Sequence, residues 1–222
     1  MISKFRIFAI LFFAGLRGVS AANPSDVTVL AKSGGESFTF VCEVGQPEIK
    51  VFAGDKIGEG AGVLIDQKLD DSDNCVGAEW IVNQLAESDV TLVMINPGRL
   101  GADVQMNVYA LQGGKATFAG YLPVGADYVG KAEYFYDFDQ ADGSWRRVYE
   151  VVGGKISLYR EMQLMQAGSV CVDKGGIVGD DSACGGRRLK ASAKKPLCIV
   201  YERHVGKISP IKNCSGLTGR SE

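Results

Sequence analysis

VYEVVGGKISL, Val148 to Leu158, is the stretch on which the fold turns. β-branched and aromatic residues flank Gly153-Gly154, and paired glycines reach the positive φ angles that a tight two-residue hairpin demands. The segment therefore predicts strand, turn, strand. The same pattern stands 40 positions earlier as VYALQGGKATF, Val108 to Phe118. Both copies fit V-Y-x-h-x-G-G-K-x-[S/T]-h, with h apolar. A period of about 40 residues suits a propeller blade, but two copies are too few for a propeller. A duplicated hairpin in one antiparallel sheet is the expectation.

Working outward, Ala132 to Phe138 and Ser144 to Val152 read as strands around Asp139-Gln-Ala-Asp142-Gly143, another hairpin, because Asp-Gly is a turn signal. The carboxylates Asp137, Asp139 and Asp142 fall out of calcium-loop register, so a turn is expected there and not a cation site. Toward the N-terminus, Val27 to Leu30, Ser37 to Val44, Glu48 to Phe52 and Val63-Leu64-Ile65 carry strand composition, with glycine punctuation between them. Gly58-Glu-Gly60-Ala-Gly62 lacks dinucleotide-fingerprint spacing before a helix, so no cofactor is expected. One helix is predicted between Asp73 and Ser88. Asp73 or Asn74 would cap it, and Val76, Trp80, Ile81, Gln84 and Leu85 recur on one helical face.

The fold class that follows is α+β, predominantly antiparallel β: a meander with duplicated hairpins, one helix in the N-terminal half and a disulfide-stabilised C-terminal region. The organisation read from the chain is a signal peptide over 1–22, a β-rich region with one helix over 23–96, a meander over 97–166, and a disulfide-rich basic region over 167–222.

Lys4 and Arg6, the apolar run Ile7 to Leu16 and the small residues Val19 to Ala22 have the form of a cleavable secretory signal, too short to span a bilayer. A secreted or periplasmic address is expected, without a membrane span. The six cysteines, Cys42, Cys75, Cys171, Cys184, Cys198 and Cys214, then form an even set suited to an oxidising compartment. Two lie before residue 76 and four after residue 170, so local pairing predicts Cys42 with Cys75, Cys171 with Cys184, and Cys198 with Cys214. No metal site is expected, because close cysteine pairs are lacking and His204 is the sole histidine.

Net charge is only −2, but it is unevenly spread. From Gly185 onward nine Lys and Arg face Glu202 and Glu222, whereas residues 22–184 carry 12 basic residues against 24 acidic ones. Pairing of the tail with the acidic body, or plain solvation, is the expected fate of that charge. An anionic glycan or surface is the alternative partner for the basic region. Nucleic acid is not expected, since the tail lacks interleaved aromatics beyond Tyr201.

Catalytic chemistry is hard to assemble from these residues. His204, next to Arg203, reads as a surface histidine, and no G-x-S-x-G elbow occurs. Glu133, Asp137, Glu150 and Glu161 are candidates for carboxylate-based glycoside cleavage, but nothing in their spacing singles out a pair. Aromatic stripes are the stronger lead: Tyr134, Tyr136 and Phe138 share one face by period two, as do Trp145, Arg147 and Tyr149 on the next strand. Aromatics with Arg are the residues that anchor protein interfaces. The competing reading places one or both stripes in the core, with Trp145 and Arg147 chosen as the exposed anchor. The strand pair G-x-W-R-R-V-Y-x-V-x-G-G-K, Gly143 to Lys155, within Tyr134 to Arg160, resembles the β-repeat tails of some periplasmic lysozyme-inhibitor-like proteins, over less than a fifth of the chain. The expected function is a secreted or periplasmic protein-binding module, toxin-neutralising or hydrolase-inhibiting, with another protein as partner. Its rivals are an extracellular carbohydrate- or cell-wall-active hydrolase and a secreted effector or adhesin on an anionic host surface.

Overall fold

The computed structural model describes residues 27–33, 36–54, 62–69, 75, 78–85, 88–97, 104–173, 176–177 and 184–217. The expected signal segment, the capping residues Asp73 and Asn74, and Gly58 to Gly60 lie outside them.

Antiparallel β-structure dominates the described residues, in four sheets. The first is a meander of β1 (Val27–Ser33), β2 (Glu36–Cys42), β3 (Glu48–Ala53) and β4 (Val63–Lys68). A second meander joins β5 (Trp80–Gln84), β6 (Thr91–Ile95), β7 (Gln105–Gln112) and β8 (Lys115–Pro123). It runs across residue 97, so the sequence regions on either side of that point share one sheet. A third meander, β9 (Asp127–Gly130), β10 (Glu133–Gln140), β11 (Gly143–Val152) and β12 (Lys155–Met165), is extended by β16 (Leu197–Glu202) and β17 (Val205–Ser209) into six strands. The small fourth sheet pairs β13 (Ser169–Asp173) with β14 (Gly176–Ile177) and β15 (Arg187–Lys190).

Both repeat copies are hairpins, turning at Gly113-Gly114 (φ 58° and 72°) and Gly153-Gly154 (φ 57° and 71°). Two consecutive left-handed residues match the right-handed twist of the flanking strands. The copies occupy different sheets, however, which corrects the expectation of one. They also share a feature no composition reveals. A bulge falls between Val108 and Tyr109 in one and between Val148 and Tyr149 in the other, leaving Ala119 and Tyr159 as the extra residues. The first meander has the same bulge in the same place, between Val51 and Phe52, with Leu64 extra. The chain therefore holds three four-stranded meanders built to one plan, only two of which betray themselves by Gly-Gly-Lys.

The three meanders stack face to face. Phe38, Phe40, Ile49, Val51 and Ile65 of the first pack on Val93, Ile95 and Leu111 of the second. The opposite face of the second, through Leu92, Met94, Met106 and Val108, packs on Tyr134 and Tyr149 of the third. The middle strand β6 is buried at every position, which explains why TLVMI is apolar at all positions but Thr91. The turn of the second repeat docks on the first. A Cβ on Gly154 would lie 3.4 Å from the Ala110 Cβ, and the Lys155 Nζ donates to the Phe118 carbonyl at 2.5 Å.

The helix expected over Asp73 to Ser88 is replaced by strand at Trp80–Gln84. Trp80 and Val82 face the core shared with the first meander, Trp80 stacking on Phe40 at 4.1 Å. Ile81 is exposed, and Asn83 points the other way to reach the Tyr134 hydroxyl. Period two thus overrides the helical spacing, because pairing with β6 supplies a full backbone ladder that a short isolated helix lacks. Among the described residues the one helix is a 3₁₀ turn, Ile211–Leu217, at the other end of the chain. All three disulfides join the expected pairs, Cys42–Cys75, Cys171–Cys184 and Cys198–Cys214.

Candidate functional site

The sequence-derived stripes divide between core and surface. Tyr134 is 1 % exposed and Tyr149 is 9 % exposed, and both belong to the core between the second and third meanders. Burial pushes the Tyr134 phenol well above its ordinary value, opposed by the hydrogen bond it accepts from Asn83 Nδ2 at 2.9 Å. Burial likewise raises the Tyr149 phenol, with the Arg147 charge acting against it. These two residues hold the layers together, and their place in the interior corrects their assignment to a binding face.

The rest of the stripe forms a row of rings. Tyr136 and Phe138 on β10 lie 5.7 Å apart, Phe138 and Trp145 on β11 lie 6.2 Å apart, and Trp145 and Tyr201 on β16 lie 5.8 Å apart. The successive planes differ by 20°, 11° and 17°. Strands β11 and β16 are separated by β12, a span of about 9.6 Å from backbone to backbone. Trp145 and Tyr201 must therefore lean toward each other over β12. What they roof is Gln163, 2 % exposed and level with Trp145 in the ladder.

Both ends of that glutamine's amide are engaged. The Tyr201 hydroxyl donates to its Oε1 at 3.2 Å, and its Nε2 donates to Asp142 Oδ2 at 2.7 Å. The indole Nε1 of Trp145 donates to Asp142 Oδ1 at 3.1 Å. The hairpin-turn aspartate is thus the acceptor that fixes both the amide and the indole, which explains why a carboxylate stands in this turn. Burial, and then the nearby Asp142 and Glu161 charges, raise the Tyr201 phenol.

Arg147 stands beside the row, its guanidinium carbon 4.8 Å from the centre of the Phe138 ring, and its Nε donates to Glu161 Oε1 at 2.9 Å. Tyr136 packs against the core of the second and third meanders, and Tyr201 against the core under the fourth sheet. Phe138 and Trp145 belong to neither, and both are partly exposed. The row is thus a bridge of rings between two cores whose middle, with Arg147, faces outward. Membership of Tyr201 is not legible in the sequence: the apolar run Leu197 to Tyr201 marks a strand, but its ring neighbour Trp145 lies far back in the chain.

The carboxylates proposed for hydrolysis are scattered. Asp137 forms a bidentate pair with Arg146, at 2.6 and 2.7 Å, on the opposite face of the sheet. Glu161 is held by Arg147. Only Glu133 and Glu150 are placed opposite each other, across β10 and β11. His204 is exposed in the β16–β17 turn, where Arg203 and His204 take φ of 49° and 67°. A groove of about 400 Å³ between the first two meanders, lined in part by Glu36, Phe38, Leu111 and Lys115, lies among residues distant from this row.

Fold and row together define a disulfide-linked, layered antiparallel β protein with a partly exposed aromatic and arginine face. No protein-family model, no curated protein and no solved structure matches the chain.

Proposed function

We propose that this chain is an exported protein-binding module, toxin-neutralising or hydrolase-inhibiting, whose anchor is the outward middle of the aromatic row: Phe138, Trp145 and Arg147. The carrying observation is that these side chains pack on one another between two cores without joining either. Rigid aromatics and a preoriented guanidinium lose little conformational freedom on binding, which is why such residues dominate interface energies. The address is supported by the signal-like sequence of residues 1–22 and by the three disulfides.

The test immobilises the oxidised mature protein, captures binders from the secreted and periplasmic fraction of its source, and repeats the capture with Arg147→Glu and with Trp145→Ala. A stoichiometric partner lost with Arg147→Glu, at unchanged thermal stability, supports the anchor. A partner retained by both variants refutes it. One observation favours a carboxylate hydrolase instead, the facing pair Glu133 and Glu150. Glycan turnover abolished by Glu133→Gln or Glu150→Gln would establish that reading.

A further inference from the structure

The fate expected for the basic region was pairing with the acidic body or solvation. Among the described residues, Arg187, Lys190, Lys194 and Lys195 are exposed and belong to no ion pair. Their neighbour Arg188 donates to Ser169 Oγ at 3.4 Å. These five cations share one arm. β15 carries the first three of them, and after Ala191 the chain reverses in a turn closed by two backbone hydrogen bonds between Ser192 and Lys195, of 3.1 and 2.9 Å. At about 3.3 Å per residue, the charges from Arg187 to the turn lie within roughly 20 Å along the arm.

The arm is held in place from beneath. Leu189 and Ala191 pack with Val170, Met165 and Ile199 in the core below, and the Cys171–Cys184 disulfide ties β13 to the residue that leads into β15. Five cations on a clamped arm concentrate positive potential that a disordered tail would spread out. We infer that this arm binds a linear anionic polysaccharide, bearing sulfate or carboxylate groups, through its exposed, unpaired lysines and Arg187.

Two features select that class of ligand. Arg187 to Lys195, RRLKASAKK, contains no aromatic residue, so neither bases nor sugar rings have a surface to stack on, and recognition must go through charge. The disulfide that clamps the arm belongs to oxidising surroundings, where charged glycans are the abundant polyanions. The inference is independent of the aromatic row, which lies on the six-stranded sheet and uses different residues.

Binding of oxidised full-length mature protein to heparin, titrated by calorimetry between 50 and 300 mM NaCl (about these limits, chosen to bracket the screening range), tests it. Each neutralised anionic site contributes about 0.7 to 0.9 to the slope of log affinity against log salt in other linear polyanions, so four contacts predict a slope of about −3. Lys190→Gln combined with Lys194→Gln and Lys195→Gln should weaken binding at least tenfold and bring the slope to about −1. Lys207→Gln on the neighbouring β17 should leave both unchanged, and all these positions are exposed, so folding is preserved. Three results overturn the inference: no heparin binding at the lowest salt, equal binding by the triple variant, or tighter binding to duplex DNA or to phosphatidylserine vesicles than to heparin.

Discussion

Gly206→Ala should damage the aromatic row without touching any of its rings. Gly206 faces Tyr201 across β16 and β17, and a Cβ there would lie 2.6 Å from Tyr201 Cε1 and 2.8 Å from Cδ1. The ring lies flat over the glycine and has to move. It then gives up its hydrogen bond to Gln163, worth about 1 kcal/mol, and its stack on Trp145, worth about another 1 kcal/mol. A destabilisation of about 2 kcal/mol follows, or a fall in Tm of roughly 4 to 8 °C for a chain of this size. Urea unfolding supplies the free energy. Trp145 fluorescence in a Trp80→Phe background, which leaves a single indole, reports the stack. The decisive arm is a double-mutant cycle with Tyr201→Ser. Once the ring is gone the three closest contacts of the added methyl go with it, and Gly206→Ala should cost less than about 0.5 kcal/mol. A cost that persists in the Tyr201→Ser background would refute the reasoning, because it would then arise from the backbone and not from the ring.

Other expectations follow from burial, covalent links and titration. Leu92→Ala, at a site 0 % exposed in the middle layer, should cost about 2 to 5 kcal/mol, whereas Ile81→Ala on the same sheet, 47 % exposed, should stay within about 0.5 kcal/mol; equal losses in urea unfolding would contradict the layered packing. Replacing Cys198 and Cys214 together by alanine removes a link with a sequence separation of 16, which the chain-entropy model values at about 3 kcal/mol, read as a calorimetric Tm lower by roughly 10 °C. Tyr109, Tyr134, Tyr149 and Tyr201 all have phenols raised in the fold, chiefly by burial. The fold therefore favours the protonated phenol, and this contribution is complete below the unfolded value of about 10 and lost as pH rises above it. Tm should decline from about pH 9 to about pH 11, less steeply in Tyr134→Phe, and a flat profile would count against buried phenols.

Local signals were readable and long-range ones were not. Gly113-Gly114 and Gly153-Gly154 announce their turns because the conformation is dictated within four residues, and the disulfide pairs follow from how the cysteines cluster along the chain. Trp80 to Gln84 misleads because Trp80, Ile81, Gln84 and Leu85 fit a helical face while Trp80 and Val82 fit an alternating one, and the arbiter is β6, whose pairing the segment does not encode. The kinship of the first meander with the other two is hidden in the sequence because Val51-Phe52 is followed by a longer excursion to β4 and not by Gly-Gly-Lys. At the candidate site, period two correctly put Tyr134 and Trp145 on their faces of β10 and β11, but it is silent about what lies above each face. A neighbouring sheet covers Tyr134, while Trp145 is flanked by the Phe138 and Tyr201 rings and belongs to no core.

The inner strands β6 and β7 have little freedom to change, since their buried side chains wall two different cores and a substitution at one of them disturbs one neighbour or the other. The outer layers carry no such double obligation. Divergence among descendants of this chain should therefore accumulate on the outward face of the first meander and around the six-stranded sheet, leaving β6 and β7 as the recognisable remnant. Recognition surfaces could then be exchanged from lineage to lineage while the inherited frame stays the same.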